Sequence, residues 1–241
     1  MDIAVTEDAV LGGRVRLLQP RHGYRVAVDA VLLAAAVTPA AGERVLDLGA
    51  GVAAVGLCLA TRVPDCTIVG VELQPALADL AERNATRNAL NGRVRTIVRD
   101  IAFALPSDLG AFDHVVSNPP YLAAAVADPS PEPSKALATV ESSADLARWL
   151  SVATGALKPG GTLTLIHRLD RLEEIAGYLV HLGWGDITVK TLPPAARVLV
   201  RARQAARPSV KQSPPLVLHQ PDGSYSEEAE AILRHAGALT F

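Results

Sequence analysis

Cysteine is nearly absent: Cys58 and Cys66 are the only two in 241 residues, and their spacing fits no zinc or redox motif. Both lie in apolar surroundings, which implies buried free thiols. Aromatic residues are scarce at 4%, which argues against an aromatic-lined cleft and for close packing of helices on a sheet. An excess of basic charge is also missing. The formal net charge of −2 argues against a general polycationic nucleic-acid binder. The longest nearly apolar run, Val26 to Val37, has 12 residues and carries Asp29, too short and too polar to span a bilayer. The N-terminus, with Asp2, Glu7 and Asp8, lacks the apolar stretch of a signal peptide. A soluble cytoplasmic protein with no membrane contact is therefore expected.

What is present reads as one large α/β domain. Apolar residues make up 49%, enough for a full core at this length, with no second hydrophobic pattern and no internal repeat. Residues 13 to 18 read as a short β segment, and Val26 to Val37 as a helix ended by Thr38-Pro39. Asp29 is the anomaly in that helix, and a cap or first-turn role favoured by the helix dipole is the simplest account. Apolar, β-branched runs beginning at Arg44, Cys66, Arg93 and Phe112 read as strands, with helices from Ala53 and Pro75 between them. Residues 122 to 140 show no period and read as a mobile loop. Ser142-x-x-Asp145 has the pattern of a capping box ahead of a helix marked by Leu146, Trp149, Leu150, Ala153 and Leu157. Further strands are expected at Thr162 to His167, around Trp184 to Thr191 and over Arg197 to Arg203, with helices near Leu172 to Leu182 and Ser226 to Leu239. Strands interleaved with helices imply a doubly wound, mostly parallel seven-stranded sheet. The boundaries expected are an N-terminal extension over 1–43, a core over 44–206, and a C-terminal extension of the same domain over 207–241.

Charge is segregated along the chain. Arg14, Arg16, Arg21 and Arg25 lie between Gly12 and Val28 with no acid among them, and six basic residues lie from Ile187 to Lys211, again with no acid. That pattern fits either a basic rim touching phosphates or a pair of solvated arginine-bearing strands. None of the six histidines pairs visibly with a nucleophile, so all are read as structural or surface groups, and no metal-ligand spacing occurs. Nothing in the composition sets an oligomeric state.

The stretch that organises the rest is Asn118-Pro119-Pro120-Tyr121, placed where the Phe112–Ser117 strand ends, the edge at which open parallel sheets bind ligands. Two prolines hold a rigid turn whose carbonyls are free to accept hydrogen bonds. Asn118 adds an amide oxygen and Tyr121 a flat ring, so together they can grip a planar group bearing an NH2. The tetrapeptide resembles the signature of amino-methyltransferases that use S-adenosylmethionine.

Upstream, Gly49-Ala50-Gly51 forms a glycine turn and Glu72 lies about 20 residues on, as a ribose-binding acid should. A carboxylate at Asp47 suits an ammonium and would repel a pyrophosphate, which favours S-adenosylmethionine over a nicotinamide cofactor. Asp100, with Ile101 beside it, is placed to accept from an adenine amine. Val45 to Gly51, Gly70-Val71-Glu72, Asp100 and the tetrapeptide resemble successive motifs of a Rossmann-fold (class I) methyltransferase. Gly12-Gly13, the Glu141 region, Leu216-Val217-Leu218-His219 and Gly223-Ser224-Tyr225-Ser226 are similar to the bacterial tRNA1(Val) (adenine-N6)-methyltransferase family, and Gly23 to Asp29 resembles the family segment that borders the donor pocket. Ala53 departs by standing where many relatives have a third glycine, and Leu122 by replacing an aromatic.

The resemblance implies methyl transfer to adenine N6, most plainly in tRNA, with Asn118, Pro119 and Tyr121 as catalytic residues. The donor would be held by Asp47, Gly49, Ala50, Gly51, Glu72, Asp100, Ile101 and Asn118. Two rivals keep the donor: a protein glutamine N5-methyltransferase, whose acceptor amide satisfies the same grip, and a noncatalytic S-adenosylmethionine-binding protein. A nicotinamide dehydrogenase is disfavoured by Asp47.

Overall fold

The computed structural model describes residues 3–23, 25–122, 136, 140, 141 and 143–241. Strands β1 (Val5–Val10) and β2 (Val15–Pro20) form an antiparallel hairpin, followed by α1 (Val28–Ala35). The central unit is β3 (Arg44–Leu48), α2 (Ala54–Arg62), β4 (Thr67–Glu72), α3 (Pro75–Arg87), β5 (Val94–Val98) and β6 (Phe112–Ser117). After it come α4 (Leu146–Ala156), β7 (Leu157–Arg168), α5 (Leu172–His181), β8 (Trp184–Thr191), β9 (Arg197–Gln204), β10 (Val210–Gln212) and α6 (Glu227–His235).

The main sheet has the order β10-β8-β9-β7-β6-β3-β4-β5. Only β9 runs against its neighbours β7 and β8. The seven expected strands are all in it, and the eighth, β10, is a three-residue edge that carries too little pattern to be read from sequence. Strands β3 and β4 are buried at every position but the first because both faces of a parallel sheet are covered. Val45 and Ile68 face one core, with α1, α2 and α6, while Leu46, Leu48, Val69 and Val71 face the other, with α4 and α5. The chain leaves β3 outward through β4 and β5, then returns to β6 on the opposite side of β3. A crevice therefore opens between β3 and β6 at their carboxyl ends.

Several boundaries differ from expectation for local reasons. The strand β1, Val-Thr-Glu-Asp-Ala-Val, has no core-facing alternation of its own and is held by its partner β2. The helix expected over Val26–Val37 starts at Val28, and Asp29 in its first turn makes no cap bond to the helix backbone. Asp145 is itself the cap of α4, its Oδ1 accepting from the Arg148 amide at 2.8 Å, so the capping-box pattern is displaced; Ser142 lies outside the described residues. The last helix stops at His235 because Ala236 turns into the left-handed region at φ 58°. Of the loop expected over 122–140, residues 123–135 and 137–139 lie outside the described residues. Its ends meet: Leu122 bridges Val140, and the Glu141 amide donates to the Leu122 carbonyl at 2.9 Å.

The hairpin is fastened to the core by two asparagines, Asn84 of α3 and Asn88 at its C-cap. Asn84, fully buried, accepts from the Leu18 amide at 2.7 Å and donates to the carbonyls of Leu18 at 3.0 Å and Val52 at 3.1 Å. One turn later Asn88 accepts from the Arg16 amide at 2.9 Å and donates to its carbonyl at 2.8 Å. Each side-chain amide offers β2 the donor and acceptor that a neighbouring strand would offer, so the hairpin's free edge is satisfied without one.

Candidate active site

The carboxyl ends of β3, β4, β5 and β6 converge on one cleft. Gly49, Ala50 and Gly51 line it from the turn after β3, Glu72 from the end of β4, Asp100 and Ile101 from beyond β5, and Asn118 to Tyr121 from beyond β6. The amides of Gly49 and Ala50 both donate to the Val71 carbonyl, at 2.9 and 3.0 Å, which folds the turn back over β4. Two close approaches make glycine necessary. A Cβ at Gly49, where φ is +77°, would stand 2.6 Å from the Trp149 ring, and one at Gly70 would stand 2.7 Å from the Ala50 Cβ. Trp149 thus closes the cleft beneath the turn.

Glu72 is 6% exposed. Its Oε2 accepts from the Gly51 amide and its Oε1 from the Gln74 amide, both at 2.8 Å. Those donors favour the ionised form, but burial outweighs them and holds the carboxyl above the usual range. Asp100 Oδ1 accepts from the Ala102 amide at 2.8 Å and the Ser143 hydroxyl at 2.9 Å, and both Asp100 and Ser143 line the cleft. The side-chain oxygen of Asn118 is buried and has no hydrogen-bond partner among the described residues. Ser117, just before it, ties the end of β6 to β3 by donating to the Leu48 carbonyl at 2.9 Å.

Asp47 stands apart from this group. It does not line the cleft; it is 2% exposed beneath the turn, and its Oδ2 has no partner among the described residues. Burial first, and then the Glu72 charge, push its pKa from 3.8 up to about 7. The methyl of Ala53, the residue in place of a third glycine, is likewise not on the cleft wall. Ala53 adopts the left-handed region at φ 65°, which explains why glycine suits the position. The strain of about 1 kcal/mol is offset by roughly 0.8 kcal/mol from burying the methyl.

Tyr121 is held from three directions. Its hydroxyl donates to Asp29 Oδ2 at 2.7 Å, and the Arg197 guanidinium carbon lies 4.4 Å from its ring centroid. Arg197 Nε reaches the same Asp29 oxygen at 3.3 Å, and the His167 ring meets Tyr121 edge-on with centroids 5.3 Å apart. His167 Nδ1 accepts from the Arg168 amide at 2.8 Å. Burial, then the Arg171 charge, lower its pKa from 6.5 to about 4, with the Pro120 carbonyl pulling the other way.

Sequence reasoning missed Trp149, Ser143, His167 and Arg197 at this site. Trp149 reads only as part of a helical core face, and His167 and Arg197 sit inside regular strand patterns. Asp29 carried a signal, an acid in an apolar helix, but its partners are 92 and 168 residues away. Of the four N-terminal arginines, Arg25 pairs with Asp8 and Arg16 lies 4.0 Å from Glu7, which Arg87 of α3 also meets. Cys58 and Cys66 are buried free thiols. Among the described residues no helix is long and apolar enough to cross a membrane, and no group of three or more His, Cys, Asp or Glu is placed to hold a metal ion.

The residues lining the cleft fit S-adenosylmethionine by their chemistry: a dry carboxylate at Glu72, a second acid at Asp100, a glycine turn backed by Trp149, and an unsatisfied acceptor at Asn118. Comparison with known proteins agrees. Residues 25–173 match the methyltransferase small domain. The chain is 33% identical over 218 residues to the tRNA1(Val) (adenine(37)-N6)-methyltransferase of Porphyromonas gingivalis, spanning 85% of each protein. It is 32% identical to the enzyme of that name from Yersinia enterocolitica, spanning 88% of this chain and 86% of that one. The release factor glutamine methyltransferase of Salmonella typhimurium is 37% identical over 150 residues, 60% of this chain and 53% of its own. In fold, a predicted O-methyltransferase from Agrobacterium tumefaciens superposes with a TM-score of 0.71 at 23% identity, covering 88% of this chain and 98% of that one. The protein is an S-adenosylmethionine-dependent methyltransferase, and it belongs to the methyltransferase small domain family, in the branch that holds the tRNA1(Val) (adenine(37)-N6)-methyltransferases.

Proposed function

We propose that the protein methylates the exocyclic N6 of an adenine in tRNA, at the position-37 adenine of the valine tRNA named for its relatives, in the cytoplasm. The observation that carries this reading is the Asn118 side-chain oxygen, buried and without a hydrogen-bond partner among the described residues, at the cleft shared with Glu72 and Asp100. An acceptor left dry and unpaired costs stability, and an incoming N–H donor removes that cost.

S-adenosylmethionine, when bound, supplies a methyl group on a sulfonium that is already electrophilic. The chain's part is positioning. Glu72 holds the ribose hydroxyls, Asp100 and Ile101 hold the donor's adenine, and the Gly49–Gly51 turn admits its methionine end. On the acceptor side, the Asn118 side chain and the Pro119 carbonyl accept from the target amine. Those bonds draw the nitrogen toward sp3 geometry and expose its lone pair, while the Tyr121 ring packs on the base after it is swung out of its stack. No strong general base is needed, which agrees with a buried His167 that stays neutral and packs against Tyr121. Arg203 pairs with Thr162 and Gly185, near where β7 and β8 begin, and the Arg207 carbonyl accepts from the Asp186 amide beside it, so these exposed cations lie at the sheet edge opposite the cleft and any phosphate they meet is remote from the target base.

A glutamine side-chain amide satisfies the same grip, and the Salmonella relative is named for such an acceptor. The wider span shared with the tRNA enzymes favours RNA. The test is transfer of tritium from labelled donor to total tRNA, rRNA and protein from a strain lacking the gene, followed by nucleoside analysis. N6-methyladenosine from tRNA is the expected product, and label in protein alone overturns it. Asn118→Ala should abolish transfer while donor binding, measured by calorimetry, is retained; equal loss of both removes Asn118 from the acceptor grip.

A further inference from the structure

We propose that Asp29 and Arg197 are positioning residues for the methyl acceptor, acting through Tyr121. The inference rests on Tyr121 being the acceptor-side aromatic. Three elements distant in sequence, the first turn of α1, the first residue of β9 and the end of β7, meet at this one ring. A single carboxylate oxygen, Asp29 Oδ2, accepts from the phenol at 2.7 Å and from Arg197 Nε at 3.3 Å. The guanidinium that pairs with Asp29 also lies over the ring at 4.4 Å. The hydroxyl bond anchors the far end of the ring, and because its oxygen lies on the ring's long axis it is Arg197 over one face and His167 at one edge that fix rotation about that axis.

An ion pair serving only the fold has no need of the phenol. Here the aromatic next to the amine-gripping Asn118 is the part restrained, and Asp29 is 14% exposed, dry enough for the restraint to be stiff. The same turn of α1 also lines the cleft itself, through Ala30, the residue after Asp29. Transfer between two bound groups depends steeply on their mutual placement, and a misplacement of about 1 Å costs up to about 100-fold in rate.

The decisive experiment is a double-mutant cycle of Tyr121→Phe and Asp29→Ala on methyl transfer to tRNA, with Asp29→Asn and Arg197→Lys as milder variants. Each single change is expected to lower kcat by about 10- to 100-fold, with donor affinity unchanged. The double variant is expected to be no slower than the slower single one, because both remove one bond. Asp29→Asn, which keeps an acceptor oxygen, should recover part of the rate lost in Asp29→Ala. Losses that multiply in the double variant, or losses that appear in donor affinity, overturn the proposal.

A second readout needs no substrate. In protein labelled with 3-fluorotyrosine, the Tyr121 fluorine signal, assigned by its disappearance in Tyr121→Phe, should shift or broaden in Asp29→Asn and Arg197→Lys. An unmoved signal overturns the restraint. A moved signal in a protein that methylates no RNA supports the restraint and counts against the tRNA reading alone.

Discussion

Asp47 and Glu72 are carboxyls that the fold keeps dry on neighbouring strands; burial raises both, and the Glu72 charge makes Asp47 harder still to ionise. Asp47 binds its proton more tightly folded, at about 7, than its ordinary value of 3.8. The stability this contributes is complete below about pH 4 and is lost as pH rises through about 7, a swing of roughly 4 kcal/mol. Asp47→Asn should therefore gain stability over the native protein as pH rises from 4 to 7 and hold that gain above it, as read by urea unfolding without donor. A difference independent of pH would refute the burial of this charge. His167 runs the other way. Its value falls from 6.5 to about 4, so its contribution is present above about pH 6.5 and is lost as pH falls toward 4, by roughly 3 kcal/mol. The two slopes oppose each other over one window, and the native profile should be flatter than that of either single variant.

At the scale of elements, Asn84 and Asn88 carry the load that a third strand would carry for the hairpin. Asn84→Ala removes three hydrogen bonds in a dry site, at about 1 kcal/mol each. The expected loss is about 3 kcal/mol, with hydrogen exchange accelerated at Leu18 while the amides of β3 and β4 stay protected. Uniform acceleration across the sheet would show that the hairpin has no independent opening. Elements buried on both faces, such as β3, β4 and β6, were legible in the sequence because their composition is set by burial alone. Those that depend on a partner were not. Strand β1 has no signal apart from β2, and an asparagine among Leu80, Ala81 and Ala85 looks like a polar gap in an apolar face until the edge it completes is known. The same holds for α4, whose cap sits at Asp145 and not upstream.

Across the whole molecule, the meeting of the proposed donor residues on one cleft was legible in the sequence because they lie at or just beyond strand ends, and strand ends of a parallel sheet share an edge. Asp47 is the exception. Its place in the motif is at a strand end, but its side chain turns beneath the glycine turn, away from the cleft wall. The acceptor half was legible only at Asn118 to Tyr121, because Asp29 and Arg197 reach Tyr121 across separations that no local pattern encodes. Donor binding should stabilise the entire domain. At a concentration about 100 times its Kd, S-adenosylmethionine is worth about 2.7 kcal/mol, or a rise in Tm of roughly 5 to 10 °C for a domain of this size. Glu72→Ala should abolish that rise, and an undiminished rise would remove Glu72 from the donor's contacts.

Because β9 alone runs against its neighbours, its first residue arrives at the rim where the parallel strands finish. Residues beyond 173, where the match to the family domain stops, therefore return to touch the acceptor ring without touching the donor's supports. Tyr121, Asp29 and the cleft residues thus share one stretch of chain, while Arg197, one support of the ring, comes from another. Exchange of the segment after residue 173 between related enzymes therefore alters the support of the Tyr121 ring and leaves the residues lining the cleft in place.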